Sequence, residues 1–162
     1  MSIVTNSSPL ISLARIGKVD LLRNLYRELL IPEAVWHEVI EEGVGQAGVK
    51  EVENAKWIRV RPIENKELVK SFRQELDAGE AEAIALALET EAEFLLMDEQ
   101  VGREIAHFFD LRCVGVIGVL SEAKRKGLIV EIKPFLDMLR YKAGFWVSDS
   151  LYLRVLREEG EK

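Results

Sequence analysis

The stretch from Glu80 to Asp98 constrains this chain more tightly than any other. From Ala81 to Leu88, seven of eight positions are apolar, Glu82 being the exception. A helix of that composition is buried on most of its sides and not along one stripe alone. Phe94, Leu95, Leu96 and Met97 then form an unbroken apolar run, which Asp98 ends. Such a run fits a strand covered on both faces inside a parallel sheet. A helix from Glu80 to Ala92 spans about 18 Å at the helical rise per residue. A strand from Glu93 to Asp98 spans about 17 Å at the extended rise. Running in opposite directions, the two elements return Glu80 to the edge where Asp98 emerges.

The remaining segments repeat the alternation. Ile3 and Val4 open a short strand ending at Asn6. Ser8 and Pro9 fit an N-cap and a first helical position for a helix over Leu10–Ile16, which Gly17 closes. A second helix covers Val19–Tyr26. Leu29–Ile31 reads as a strand, and Pro32 opens a helix to about Glu42, beyond which Gly43, Gly45 and Gly48 loosen the chain. Trp57–Val60 fits an edge strand, Lys66–Leu76 an amphipathic helix, Glu99–Phe109 a helix and Cys113–Val116 a final strand. Helices over Gly118–Lys126, Lys133–Lys142 and Ser148–Arg157 complete the chain. This pattern, without low-complexity linkers or repeats, predicts a single α/β domain over residues 1–162. The expected architecture is a three-layer α/β/α sandwich with a mainly parallel central sheet.

Composition excludes several classes of function. The lone cysteine, Cys113, rules out an internal disulfide and any Cys-rich zinc site. No apolar run approaches the roughly 18 residues of a membrane span, and no basic segment precedes an apolar one at the amino terminus; the expectation is a cytoplasmic protein. The 22 basic and 28 acidic residues give a net charge of −6. That argues against a protein relying on nonspecific phosphate attraction. It leaves room for an enzyme that meets nucleic acid through metal ions and a local basic patch.

Open parallel sheets place their sites beyond the carboxyl ends of the strands, where Asn6 and Asp98 fall. Glu80 shares a helical stripe with Ala83, Ile84 and Ala87, an apolar setting that a carboxylate occupies only with a reason. Glu38 follows Ala34 and Val35 near an apolar boundary, whereas Glu41 and Glu42 read as solvated. Three carboxylates and Asn6 at one rim would repel unless a cation or protons intervened. Oxygen-only ligands select hard ions, Mg²⁺ or Mn²⁺.

Blander roles compete at each position. Asn6 suits a turn before Pro9, Glu80 a helix first turn, and Glu38 a solvated helix face. Asp98 suits an N-cap, and Arg103 an ion pair with Glu99 one turn away. Lys124, Arg125 and Lys126 suit the last turn of a helix. His37 and His107 have no His or Cys partner at metal spacing, and Cys113 reads as core packing.

The segments Asn6-Ser7-Ser8-Pro9-Leu10, Gly79-Glu80-Ala81-Glu82-Ala83-Ile84 and Leu96-Met97-Asp98-Glu99, with Glu38 between them, resemble the PIN domain family. Within it the chain is most similar to the VapC-like branch of predicted nucleic-acid-binding proteins. The likeness continues through Gly102-Arg103-Glu104-Ile105-Ala106 and Gly115-Val116-Ile117-Gly118-Val119-Leu120, and covers nearly the whole chain. It implies a metal-dependent ribonuclease using Mg²⁺ or Mn²⁺, often the toxin of a toxin–antitoxin pair. A small antitoxin and a homodimer are the implied partners, beside the RNA substrate. The family's acidic cluster carries over to Asn6, Glu38, Glu80 and Asp98, with Glu99 as an accessory. The family generally has Asp where this chain has Asn6. An amide oxygen coordinates a hard cation without contributing charge, so an impaired module that binds RNA or protein without cleaving is the alternative expectation.

Overall fold

Five strands alternate with ten helices through the computed structural model, which describes residues 2–162. In chain order they are β1 (Ile3–Thr5), α1 (Ser7–Arg15), α2 (Asp20–Tyr26), β2 (Leu29–Pro32) and α3 (Glu33–Trp36), which runs into a π-helical turn at His37–Glu41. Then come α4 (Val49–Asn54), β3 (Ile58–Arg61), α5 (Lys66–Phe72), α6 (Ala78–Glu89) and β4 (Phe94–Leu96). The chain ends with α7 (Gln100–Phe108), β5 (Cys113–Val114), α8 (Val116–Arg125), α9 (Lys133–Tyr141) and α10 (Asp149–Glu158).

All pairings in the sheet are parallel, in the order β3-β2-β1-β4-β5. Successive side chains of a strand point to opposite faces, and here both faces are covered. Ile3, Leu29, Ile31, Phe94 and Leu96 join one apolar cluster with residues of α1, α2, α8, α9 and α10. Val4, Leu30, Leu95 and Met97 join the other, against α5, α6 and α7. This is the expected three-layer α/β/α sandwich, and it explains why β4 has no polar alternation. Helix α6 is buried along most of its length, with Ala81, Ala83, Ile84, Ala85, Leu86 and Ala87 all inaccessible. Its one interior carboxylate, Glu82, accepts the backbone N–H of Ala34 at 3.2 Å. No helix of the described residues is long and apolar enough to cross a membrane.

Four local expectations are corrected. Asn6, not Ser8, occupies the N-cap position of α1, and Ser8 and Pro9 lie within its first turn. The helix after Pro32 is interrupted, α-helical to Trp36 and π-helical from His37, with Glu42 N–H donating to His37 carbonyl at 3.0 Å. The glycine-rich stretch does not simply loosen the chain, because it leads into α4. Gly48, at φ +81°, sits so close to α1 that a Cβ would lie 2.4 Å from the Ala14 carbonyl oxygen, an approach open to glycine alone. Glu99, not Asp98, caps α7, accepting the N–H groups of Val101 at 3.1 Å and Gly102 at 2.6 Å.

Candidate active site

From β1 the chain crosses to β2 and β3 on one side of the sheet and later returns to β4 and β5 on the other. The connections therefore diverge between β1 and β4, which opens a crevice at the carboxyl ends of those two strands. Thr5 pairs with Leu96 at the last register position, and Asn6 N–H still donates to the Leu96 carbonyl at 3.0 Å. Asn6 thus leaves the sheet one residue past the last pair and Asp98 two residues past it, on adjacent strands.

Asn6 is only 4% exposed. Although it stands at the N-cap position of α1, its side chain makes no capping hydrogen bond. Its Oδ1 is the one buried side-chain polar atom without a hydrogen-bond partner among the described residues. Neither a turn nor a cap accounts for it. A buried acceptor left unsatisfied costs about 1–3 kcal/mol, and such a group calls for an explanation, a bound ion among them.

Asp98 is received by the amino terminus of α8. The Val116 N–H donates to both its oxygens, at 3.3 and 3.2 Å, where the helix dipole favours negative charge. Gly115 makes this possible, since a Cβ there would lie 2.3 Å from Asp98 Oδ1. Burial pushes the Asp98 carboxyl above its ordinary range, against the lowering effects of the Val116 N–H and the Arg103 charge. Arg103 does not form the expected pair with Glu99, whose carboxylate is occupied by the cap of α7. It instead donates to the Met97 carbonyl at 2.9 Å.

The π-helical turn carries Glu38 on its inner side. Ser7 Oγ donates to Glu38 Oε2 at 2.5 Å, and Glu38 packs on Gly79, where a Cβ would lie 2.5 Å from Glu38 Oε1. Burial raises the Glu38 carboxyl above its ordinary range, with the charges of Asp77 and Glu42 adding to the effect. Glu41 and Glu42 face His37 instead, at 2.6 and 3.6 Å. π-Turns of this kind concentrate at functional sites.

Glu80 begins α6 and forms a capping box with Asp77. Asp77 N–H donates to Glu80 Oε1 at 3.0 Å, and Glu80 N–H donates to Asp77 Oδ1 at 2.8 Å. The helix-end role and a site role are compatible. Burial, with the negative charges of Asp77 and Glu99 beside it, pushes the Glu80 carboxyl up to about 7.

Ser7, next to Asn6 in the chain, meets Glu38, Glu38 abuts Gly79 next to Glu80, and Glu80 feels the charge of Glu99 next to Asp98. By donor chemistry the set fits a hard divalent cation: every donor is oxygen, and a buried amide oxygen stands unpartnered. By arrangement, no group of three or more His, Cys, Asp or Glu side chains is set to hold a metal among the described residues. Asn6 and Asp98 are fixed by the sheet, whereas Glu38 and Glu80 are each engaged by a neighbouring donor with which an ion would compete. Of the supporting residues, Ser7, Gly79, Gly115 and Val116 lie within the segments that resemble the PIN family, although their roles are not readable there, and Asp77 carries no signal in the sequence.

Comparison with known proteins accords with this fold. No curated protein matches the chain in sequence. Among solved structures, the chain is similar to a PilT N-terminus domain protein from the hyperthermophilic archaeon Sulfolobus solfataricus P2. The TM-score is 0.53 at 16% identity, covering 76% of this chain and 93% of that one, a likeness of fold. The family model described as PIN domain matches residues 2–161. PIN domains are nuclease-type folds that generally use divalent metals. The chain belongs to the PIN domain family.

Proposed function

We propose that this protein is a ribonuclease that hydrolyses RNA phosphodiester bonds with Mg²⁺ or Mn²⁺. The observation that carries the reading is the buried, unpartnered Oδ1 of Asn6 at the end of β1, the strand adjacent to the one that Asp98 follows. Asn6, Glu38, Glu80 and Asp98 would hold the ion. When bound, such an ion lowers the pKa of water and offsets charge developing on the phosphate. Asp98 is oriented by the Val116 N–H, and Glu38 by Ser7. Burial and the charges of Asp77 and Glu99 push the Glu80 carboxyl up to about 7, a crowding of like charge that a bound cation would relieve.

The test is cleavage of single-stranded RNA with Mn²⁺ by the parent chain and by Asp98→Asn. The parent cuts; the variant, keeping its Val116 contact and its fold, does not. Cleavage that survives the substitution, or that persists in EDTA, rejects the assignment. A toxin role in the VapC-like branch, with a small antitoxin and a homodimer, is supported by the sequence likeness. Co-purification with the product of an adjacent reading frame tests it.

A second reading, a PIN module that binds RNA or protein without cutting, is favoured by neutral Asn6 and by the absence of a three-carboxylate group among the described residues. It predicts retention of RNA or a protein partner and no cleavage at millimolar Mn²⁺.

A further inference from the structure

A pocket of about 190 Å³ opens beside the contact between Ser7 and Glu38. Ser7, Ile11, Ala14 and Arg15 recur at helical spacing on one face of α1, and the last three line the pocket. Ile11 lies about 6 Å along the helix from Ser7. The facing wall is the chain that follows Glu38, with Val39 and Val49 as its apolar side chains. Arg15 lies farthest from Ser7 on the α1 face, one guanidinium N–H held by the Ala143 carbonyl at 2.9 Å.

Two polar side chains of the lining, Glu42 and Gln46, are unspent. Glu42 stands 3.6 Å from His37 Nε2, beyond hydrogen-bond reach, and Glu41 takes the other ring nitrogen at 2.6 Å. Gln46 spends its backbone N–H on the Gly43 carbonyl at 2.9 Å, and its exposed amide holds no hydrogen bond among the described residues. With Glu38 and Glu42 in the lining the pocket repels phosphate, so what it suits is an uncharged group. It is smaller than the roughly 300 Å³ at which pockets for drug-sized ligands begin. Single-stranded RNA offers such a group, because an unstacked base can be packed between apolar side chains and hydrogen-bonded along its edge. Guanine alone presents two adjacent donors, N1–H and the 2-amino group, beside an acceptor, O6. A carboxylate accepts the pair, and an amide NH₂ donates to the acceptor.

We propose that this pocket takes a guanine base of the RNA substrate beside the scissile phosphate, packed between Ile11 and the Val39 and Val49 side chains, with Glu42 accepting N1–H and the 2-amino group and Gln46 donating to O6. The inference rests on the ribonuclease reading and deepens it, from hydrolysis of the backbone to selection of the base next to the cut. A base that turns an acceptor toward Glu42 leaves that carboxylate facing a lone pair, and sites built on such hydrogen bonds reject the wrong partner strongly.

The test is binding of free nucleosides in EDTA, followed by NMR of the chain labelled on its Ile and Val methyl groups. A nucleoside carries no phosphate and needs no ion, so this readout is separate from cleavage. Guanosine is expected to shift the methyl signals of Ile11, Val39 and Val49. Inosine, which lacks the 2-amino group, is expected to bind about tenfold more weakly, and adenosine, cytidine and uridine more weakly still. Glu42→Gln replaces an acceptor oxygen with a donor, so it should cost guanosine about tenfold and erase the preference over inosine. Gln46→Ala should cost about threefold to tenfold, and a remote control, Glu158→Gln on α10, should match the parent. Equal unfolding midpoints for these variants tie the losses to the pocket and not to folding. The proposal is overturned if no nucleoside moves those methyl signals, if all bind alike, or if Glu42→Gln keeps the guanosine preference. A protein partner that moves them where no nucleoside does assigns the pocket to protein and overturns it as well. The two readings fail separately. Guanosine bound with a Glu42-dependent preference, and RNA left uncut in Mn²⁺, supports the pocket and removes the ribonuclease. RNA cut in Mn²⁺ with no preference for guanine beside the break removes the pocket alone.

Discussion

Replacing Asn6 by aspartate separates a site built for a cation from one that merely tolerates an amide. Asn6 is 4% exposed, so the new carboxylate cannot escape into water. It emerges beside Asp98 on the adjacent strand, and neighbouring strands lie about 4.8 Å apart. At a separation of about 6 Å and an effective dielectric of about 20, the repulsion is about 3 kcal/mol. Asp98 is only partly buried, and screening reduces this to about 1–2 kcal/mol. In EDTA, Asn6→Asp is therefore expected to unfold about 2–8 °C below the parent, at about 2–4 °C per kcal/mol for a chain of this size. Mn²⁺ reverses the order. An ion at a hundred times its dissociation constant stabilises by about 2.7 kcal/mol, and the added charge tightens that ion in the variant more than in the parent. Thermal unfolding in EDTA and in a Mn²⁺ series reads both effects, and calorimetry reads the affinity. A variant as stable as the parent in EDTA, with no larger gain from Mn²⁺, refutes the placement of Asn6 beside Asp98 at an ion site.

Two further expectations test the supporting residues. Gly115→Ala puts a methyl group within 2.3 Å of Asp98 Oδ1, so it should displace that carboxylate and lower Mn²⁺ affinity, with a stability loss of about 1–3 kcal/mol from overpacking; unchanged affinity would show that the position of Asp98 does not matter. Glu80→Gln keeps the capping box but removes a carboxyl whose pKa is raised to about 7 by burial and by Asp77 and Glu99. Between its unfolded value and 7 the folded chain binds the extra proton, so the parent's stability is greatest below the unfolded pKa and falls as pH rises through about 7. Denaturant midpoints of the parent should therefore fall relative to Glu80→Gln over that window, and parallel curves would contradict the shift.

Much of the architecture is legible in the sequence because its strands are covered on both faces. The unbroken run Phe94–Met97 and the nearly all-apolar Ala81–Leu88 read directly as a covered strand and a buried helix, and the matched lengths of the two bring Glu80 within reach of the charge of Glu99. The local register is less legible. The π-helical turn at His37–Glu41 arises from tertiary packing that no periodicity announces, and α4 hides behind a glycine-rich stretch in which Gly48 serves close approach to α1. Ends of helices depend on which neighbouring side chain reaches an N–H first, so the cap of α7 falls on Glu99 and releases Arg103 from the pair that spacing alone suggests. The supporting contacts of Asp98 and Glu38 come from Val116 and Ser7, which lie in the family-like segments but whose carboxylate partners only the folded chain reveals.

Asn6 and Asp98 would share one ion at the ends of β1 and β4. Anomalous diffraction from a Mn²⁺-soaked crystal tests this most directly. A peak within about 2.0–2.5 Å of both Asn6 Oδ1 and an Asp98 oxygen, with Glu38 or Glu80 completing the shell, is the predicted result. A crevice that takes up no Mn²⁺ at millimolar concentration, or Mn²⁺ bound only away from Asn6 and Asp98, contradicts it.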